Sequence, residues 1–190
     1  MLLDPAMSAQ SPVVVGYDFS HSGHAALSRA VVLAGRAPHH VLHILCVIDP
    51  KHALPTLPHD GEIDYRYAAR VQEALAAVTL EELERAGVTA RVQFVVHAKI
   101  GKPVEEILEL AKSIGADLII VGSHGLTGLE RLIVGSTAEK IVRDAGCTVE
   151  VARAKQYADV DVPPAADDTL PPHEYEYDDH HLVARVLASR

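Results

Sequence analysis

The sequence is poor in several features that mark common kinds of protein, and each shortage excludes something. Its two cysteines, Cys46 and Cys147, stand far apart and outside any CxxC spacing. Neither a zinc site nor a disulfide framework is therefore expected, although a single bridge stays open. There is no basic run: 17 Lys and Arg face 26 Asp and Glu, a formal charge of −9. Such a chain lacks the electrostatic footprint of a nucleic-acid binder. No apolar run is long enough to span a bilayer, and MLLDPAMSAQ has neither the basic nor the apolar region of a signal peptide. A reducing, cytoplasmic setting without nucleic acid or membrane is the expectation. Catalytic signatures are scarce as well, with no GxxxxGK(S/T) loop, no GxSxG elbow and no evident ligand set for a metal-held water.

What is present is enough for one core. At 190 residues and 48% apolar content, the chain can bury a single sizeable interior, and its length does not ask for two full domains. The acidity is uneven. Residues 154–190 hold three basic residues against eight acids, a net −5, which leaves −4 for residues 1–153.

Read in order, residues 1–11 form an N-terminal arm, and Pro12 starts a β-branched strand, Val13 to Val15, ending at Gly16. Ala25, Ala26, Leu27, Ala30, Val31, Leu33 and Ala34 follow at helical spacing, with Ser20 or Ser22 as cap. VLHILCVI (41–48) has strand length. A Pro-, His- and Gly-rich loop (49–61) leads into a long helix ending at Gly87, whose positions 68, 71, 75, 78 and 83 keep a period near 3.6. ARVQFVVHA (90–98) predicts a third strand, and Pro103 opens another helix, where its missing N–H costs little. Asp117–Val121 is a fourth strand, Ser136–Ala145 a fourth helix and Thr148–Ala152 a fifth strand. Strict alternation, with strands too apolar to face water on one side, predicts an α/β fold: a doubly wound, five-stranded parallel sheet with helices on both faces.

In such sheets ligands bind beyond the carboxyl ends of the strands, where the strand order reverses. In the order 3-2-1-4-5, strands 1 and 4 are neighbours. The loop after strand 1 carries Asp18. The loop after strand 4, DLIIVGSHGLTGLERLIVGST, carries glycines at 122, 125, 128 and 135 and runs into a helix at Ser136. Glycines allow close backbone approach, and a helix N-terminus offers unpaired N–H groups and partial positive charge, so this is an anion cradle. A carboxylate facing it could accept from ribose hydroxyls, which makes a nucleotide a better fit than a simple phosphate ester. Plainer readings stay open. Ser136 and Glu139 match a capping box, Asp18 could merely start a turn, and His124 and Arg131 could be exposed loop residues.

Gly122-Ser123-His124-Gly125, nine residues, then Gly135-Ser136 resembles the GxxG(nine)G(S/T) signature of the nucleotide-binding branch of the universal stress protein family. VGYDFS at the end of the first strand and CVIDP at the end of the second are similar to it too, and the likeness covers about residues 12–153. The resemblance implies a stress-response protein that binds ATP or another adenine nucleotide, with Mg2+ as a possible companion, commonly as a homodimer. By position, Asp18 would hold the ribose, the backbone of Val47 the adenine, and Gly122, Gly125, Gly135, Ser136 and Thr137 the ribose and phosphates. It implies nucleotide-gated regulation with little or no hydrolysis. Thr148, where proline often follows the cysteine, and Glu150, at an apolar position, depart from the family pattern in the strand that often builds its dimer interface.

Two other readings compete. DFSHSGH contains HxGH, resembling the nucleotidylyltransferases, in which paired histidines (here His21 and His24) stabilise transferring phosphates; STAEKIVR departs from that family's second signature. Residues 154–190 offer an interaction module instead. The Pro-, Ala- and Asp-rich stretch 154–172 cannot build a core, and Leu182, Val183, Val186 and Leu187 would share one face of a short amphipathic helix that needs a docking partner. His173, Glu174, Asp178, Asp179, His180 and His181 could hold a divalent metal, but a solvated acidic tail is the simpler reading.

Overall fold

The computed structural model describes residues 10–125, 134–154, 173–178 and 181–186. Strands β1 (Ser11–Gly16), β2 (His40–Ile48), β3 (Gln93–Ile100), β4 (Leu118–Gly122) and β5 (Thr148–Ala152) alternate with helices α1 (His21–Arg36), α2 (Tyr65–Arg85), α3 (Pro103–Ile114) and α4 (Ser136–Asp144). They form one parallel sheet, as the alternation predicts, in the expected order β3-β2-β1-β4-β5. β1 lies at the centre, with Val15 opposite Ile44 on one side and Ile120 on the other. The first strand begins at Ser11, inside the expected arm, because Ser11 N–H donates to the His39 carbonyl at 3.0 Å. The third strand starts at Gln93, later than expected, because a turn ends at Arg91, whose N–H bonds the Val88 carbonyl.

The continuous apolar runs are explained by burial on both faces. Val13, Val14 and Val15 are all 0% exposed, although successive residues of a strand point to opposite sides. One side packs Val13, Val15, Leu42, Ile44 and Ile120 against Leu27 and Val31 of α1 and Val71 and Leu75 of α2. The other packs Val14, Leu45, Ile119 and Val121 against Ile107 and Leu110 of α3 and Ile141 of α4. Local chemistry sets the helix ends. Ser20 caps α1, Asp64 caps α2 by accepting from the N–H groups of Arg66 and Tyr67, and Pro103 opens α3. The 49–61 loop is anchored by Tyr67, whose hydroxyl accepts from Leu54 N–H at 2.7 Å and donates to the Leu57 carbonyl at 2.8 Å.

The chain divides into two compact units, Met1–Ala154 and Lys155–Arg190. In the second, the expected amphipathic helix is replaced by an antiparallel pair, β6 (His173–Asp178) and β7 (His181–Val186). HEYEYD alternates aromatic and acidic residues with a period of two, which suits a strand. A short isolated helix has no comparable partner for its apolar side. Residues 155–172 of the expected linker (154–172), residues 1–9 of the arm, and Asp179, His180 and Leu187 lie outside the described residues. Among the described residues no helix is long and apolar enough to cross a membrane.

Candidate functional site

The parallel topology brings the carboxyl ends of β1, β2 and β4 and the amino ends of α3 and α4 to the same edge of the sheet. A cavity of about 430 Å³ opens there, within the range of small-molecule sites. All seven residues singled out in the sequence line it: Asp18, Val47, Gly122, Gly125, Gly135, Ser136 and Thr137. Its apolar wall is made by Leu45 and Val47 of β2, Val121 of β4, and Pro103 and Ile107 of α3.

Asp18 is held at one end. After β1, Tyr17 N–H still bonds the Leu45 carbonyl at 2.9 Å, and the chain then turns sharply with Phe19 at φ 60°, a left-handed conformation unusual for a residue with a side chain. The turn swings Ser20 back onto Asp18, whose Oδ1 accepts from Ser20 N–H at 3.0 Å and from Ser20 Oγ at 2.5 Å. Ser20 Oγ in turn accepts from Gly23 N–H, capping α1.

The glycine loop forms the opposite wall. Ser123 N–H bonds the Ala152 carbonyl and Gly135 N–H bonds the Ser123 carbonyl at 2.7 Å, so the loop's two ends meet. Its glycines serve different purposes. A methyl group on Gly122 would sit 2.6 Å from the backbone carbonyl of Ser22 in α1, whereas one on Gly125 would sit 3.0 Å from Asp18 Oδ2. Gly122 lets a strand end pack on a helix; Gly125 gives room beside the carboxylate. Gly128 and Arg131 lie outside the described residues.

α4 supplies the polar end. Its N-cap is Gly135 and no side chain caps it, so the Ser136–Glu139 capping box does not form: Ser136 is the first helical residue and not the cap. Its hydroxyl and that of Thr137 line the cavity beside first-turn N–H groups that have no intrahelical partner. His124 lines it too; its Nδ1 contacts Ser123 Oγ at 3.0 Å, while its buried Nε2 has no partner among the described residues. Asp18 is the one charged side chain among the described lining residues. Burial and the Asp18 charge hold the Tyr17 hydroxyl well above its usual pKa and push the Cys46 thiol up to about 12, so both stay protonated at neutral pH.

The histidines of the HxGH stretch fall elsewhere. His21 and His24 are exposed on the first turn of α1 and neither lines the cavity; the His24 ring lies 3.0 Å from the Tyr17 hydroxyl. Sequence reasoning missed Pro103 and Ile107. The signal that could have found them is the crossover from β3 to β4, which carries α3, starting just beyond the carboxyl end of β3, across β2 and β1.

A doubly wound 3-2-1-4-5 sheet with a cavity at its switch point, walled by a glycine loop, defines an α/β protein of UspA-like architecture. The chain belongs to the universal stress protein family, whose sequence profile matches residues 11–153. A universal stress protein of Staphylococcus haemolyticus is 34% identical over 148 residues, covering 76% of this chain and 85% of the relative. Among solved structures, the universal stress protein UspA from Lactobacillus plantarum superposes with a TM-score of 0.61 at 28% identity, over 77% of this chain and 99% of that one. A universal stress protein in complex with cAMP superposes with a TM-score of 0.55 at 26% identity, over 77% and 98% of the two chains.

Proposed function

We propose that this chain is an adenine-nucleotide-binding regulatory protein of the stress response, in which bound nucleotide gates an association and is hydrolysed slowly or not at all. The observation that carries this reading is the pairing, across one apolar-walled cavity, of the Asp18 carboxylate with the uncapped amino end of α4. The cavity suits a molecule with three parts. The flat apolar wall of Leu45, Val47 and Ile107 accepts a purine, and the backbone of Val47 at the strand end offers hydrogen bonds to its edge. Asp18 accepts from ribose hydroxyls. The first-turn N–H groups of α4, with Ser136 and Thr137, hold phosphate by unpaired donors and the helix dipole.

The complex of a relative with cAMP supports an adenine nucleotide over other ligands of the same shape. ATP is the ligand that the glycine signature implies, and Mg2+ would accompany its phosphates. With Asp18 assigned to the ribose and the α4 donors to the phosphates, the reading is one of binding rather than turnover. Gating would act where the phosphates meet the amino end of α4, altering a surface that a second copy or another cytoplasmic protein reads. The C-terminal unit is the candidate for that second contact.

Calorimetry with ATP, AMP and cAMP on the purified protein tests the reading. At least one should bind with a Kd below about 1 mM, equivalent to roughly −4 kcal/mol. No heat from any of the three would sink it.

A further inference from the structure

Asp18 has two carboxylate oxygens, and the structure treats them differently. Oδ1 takes two hydrogen bonds from one residue, Ser20: the backbone N–H at 3.0 Å and the hydroxyl at 2.5 Å. Oδ2 takes none among the described residues and lies on the Gly125 side, where an added methyl group would come within 3.0 Å of it. Asp18 and Gly125 both line the cavity, so the uncommitted oxygen is on the ligand's side.

We infer that Ser20 is a positioning residue for Asp18: by holding Oδ1 it aims Oδ2 at the ribose hydroxyls, and so sets the preference of the site for ribose over a sugar lacking them. The inference rests on the adenine-nucleotide reading and adds to it the source of sugar selectivity.

Three features show that Ser20 does more than cap a helix. A cap needs Oγ only as an acceptor, and Oγ meets that need by accepting from Gly23 N–H at 3.0 Å. Its proton is free for a second bond and goes to Asp18, and a charge-assisted O–H···O bond of this kind is short and strong. The turn that makes this possible is also costly, since Phe19 takes a positive φ that a side chain disfavours. An aromatic contact holds it there: Phe19 packs edge-on against Tyr17, with ring centroids 5.0 Å apart at 71°. Backbone strain kept in place by packing, beside a lone charged group in a cavity, is the pattern of a preorganised ligand contact.

The cap and the positioning role separate by substitution. Glycine is nearly as good a cap as serine but brings no hydroxyl, so Ser20→Gly keeps the helix start and the backbone N–H bond to Oδ1 and removes the hydroxyl bond. Ser20→Thr keeps both. Each variant, with Asp18→Asn and the unaltered chain, is titrated by calorimetry with ATP and AMP and with their 2′,3′-dideoxy counterparts. The unaltered chain should prefer the ribonucleotides. Ser20→Gly should lose about tenfold in affinity for them while changing by less than about twofold for the dideoxy ligands, the selective loss expected when a hydrogen bond to a charged group is misaligned. Ser20→Thr should restore the preference, and Asp18→Asn should abolish it.

Equal loss on both kinds of ligand with Ser20→Gly, or no loss on either, overturns the inference, as does an unaltered chain that binds ribose and dideoxy forms alike. That last result would leave adenine-nucleotide binding standing. An unaltered chain that binds none of these ligands overturns both.

Discussion

The two glycines of the GSHG stretch are separable by experiment because they are glycine for different reasons. Gly122→Ala drives a methyl group into the Ser22 backbone, which cannot swing aside, and should destabilise the fold by about 1–3 kcal/mol, the usual cost of overpacking. Urea denaturation measures it. Among the described residues Gly125→Ala meets only the Asp18 carboxylate, at 3.0 Å, so it should leave the urea midpoint nearly unchanged and weaken nucleotide binding. A second residue-level prediction concerns His43 of β2 and His97 of β3. Their nitrogens are 3.1 Å apart and their ring planes lie within 13°, while the centroids stand 5.3 Å apart, so the rings meet edge to edge and not face over face. Burial lowers both pKa values, and His97 is lowered further by His43 and by Lys99, itself paired with Glu106 and Glu109 of α3. A depressed folded pKa means that the unfolded chain takes up protons first. The pair's contribution is therefore complete above the unfolded value of about 6.5 and is lost as the pH falls through the lower folded values. Urea stability should drop between neutral and mildly acid pH, and His97→Gln should flatten that drop.

At the scale of elements, the outer strands are handled differently. On β3, the Gln72 side chain donates to the Val96 carbonyl at 3.0 Å and covers part of the open edge. On β5, Glu150 forms a two-pronged pair with Arg29 of α1, Nε to Oε1 at 2.5 Å and Nη2 to Oε2 at 3.3 Å. Both side chains are substantially exposed, so solvent screens the pair and its worth to stability is small. Its consequence is positional: the Glu150 charge on β5 is satisfied inside this chain. β6 and β7 belong to the separate C-terminal unit. An isolated two-stranded hairpin is marginal by itself, whereas Met1–Ala154 carries the sheet, both apolar layers and the cavity. A chain ending at Ala154 should keep the nucleotide affinity of the full chain within about twofold by calorimetry, as expected when the removed contacts do not touch the ligand. A smaller particle by light scattering would then assign association to the tail.

At the scale of the whole molecule, alternation of β-branched runs with 3.6-period stretches was enough to specify a parallel sheet, because a sheet covered on both faces demands strands such as VVV that are apolar at every position. The two polar ends of the cavity were legible as well, since Asp18 and the glycine loop follow strands that neighbour each other at the switch point. Three things were not. The apolar wall from Pro103 and Ile107 depends on α3 crossing β2 and β1 on its way from β3 to β4, a long-range placement with no local signal. The role of Ser136 depended on a one-residue shift in the helix start, which moved the cap to Gly135 and cancelled the capping box. The C-terminal strands were hidden by Leu182, Val183, Val186 and Leu187, whose spacing fits a helix as readily as part of a strand, so that pairing with HEYEYD decided between them. Sequence alone thus determined the parallel architecture, because local periodicity and burial demand are properties of the chain itself, and its glycine spacing carried the resemblance to the family. Only the tertiary structure decided which oxygen of Asp18 is free, which glycine guards the fold and which the ligand, and what closes the cavity, because those depend on distances between segments that meet only once the sheet has formed.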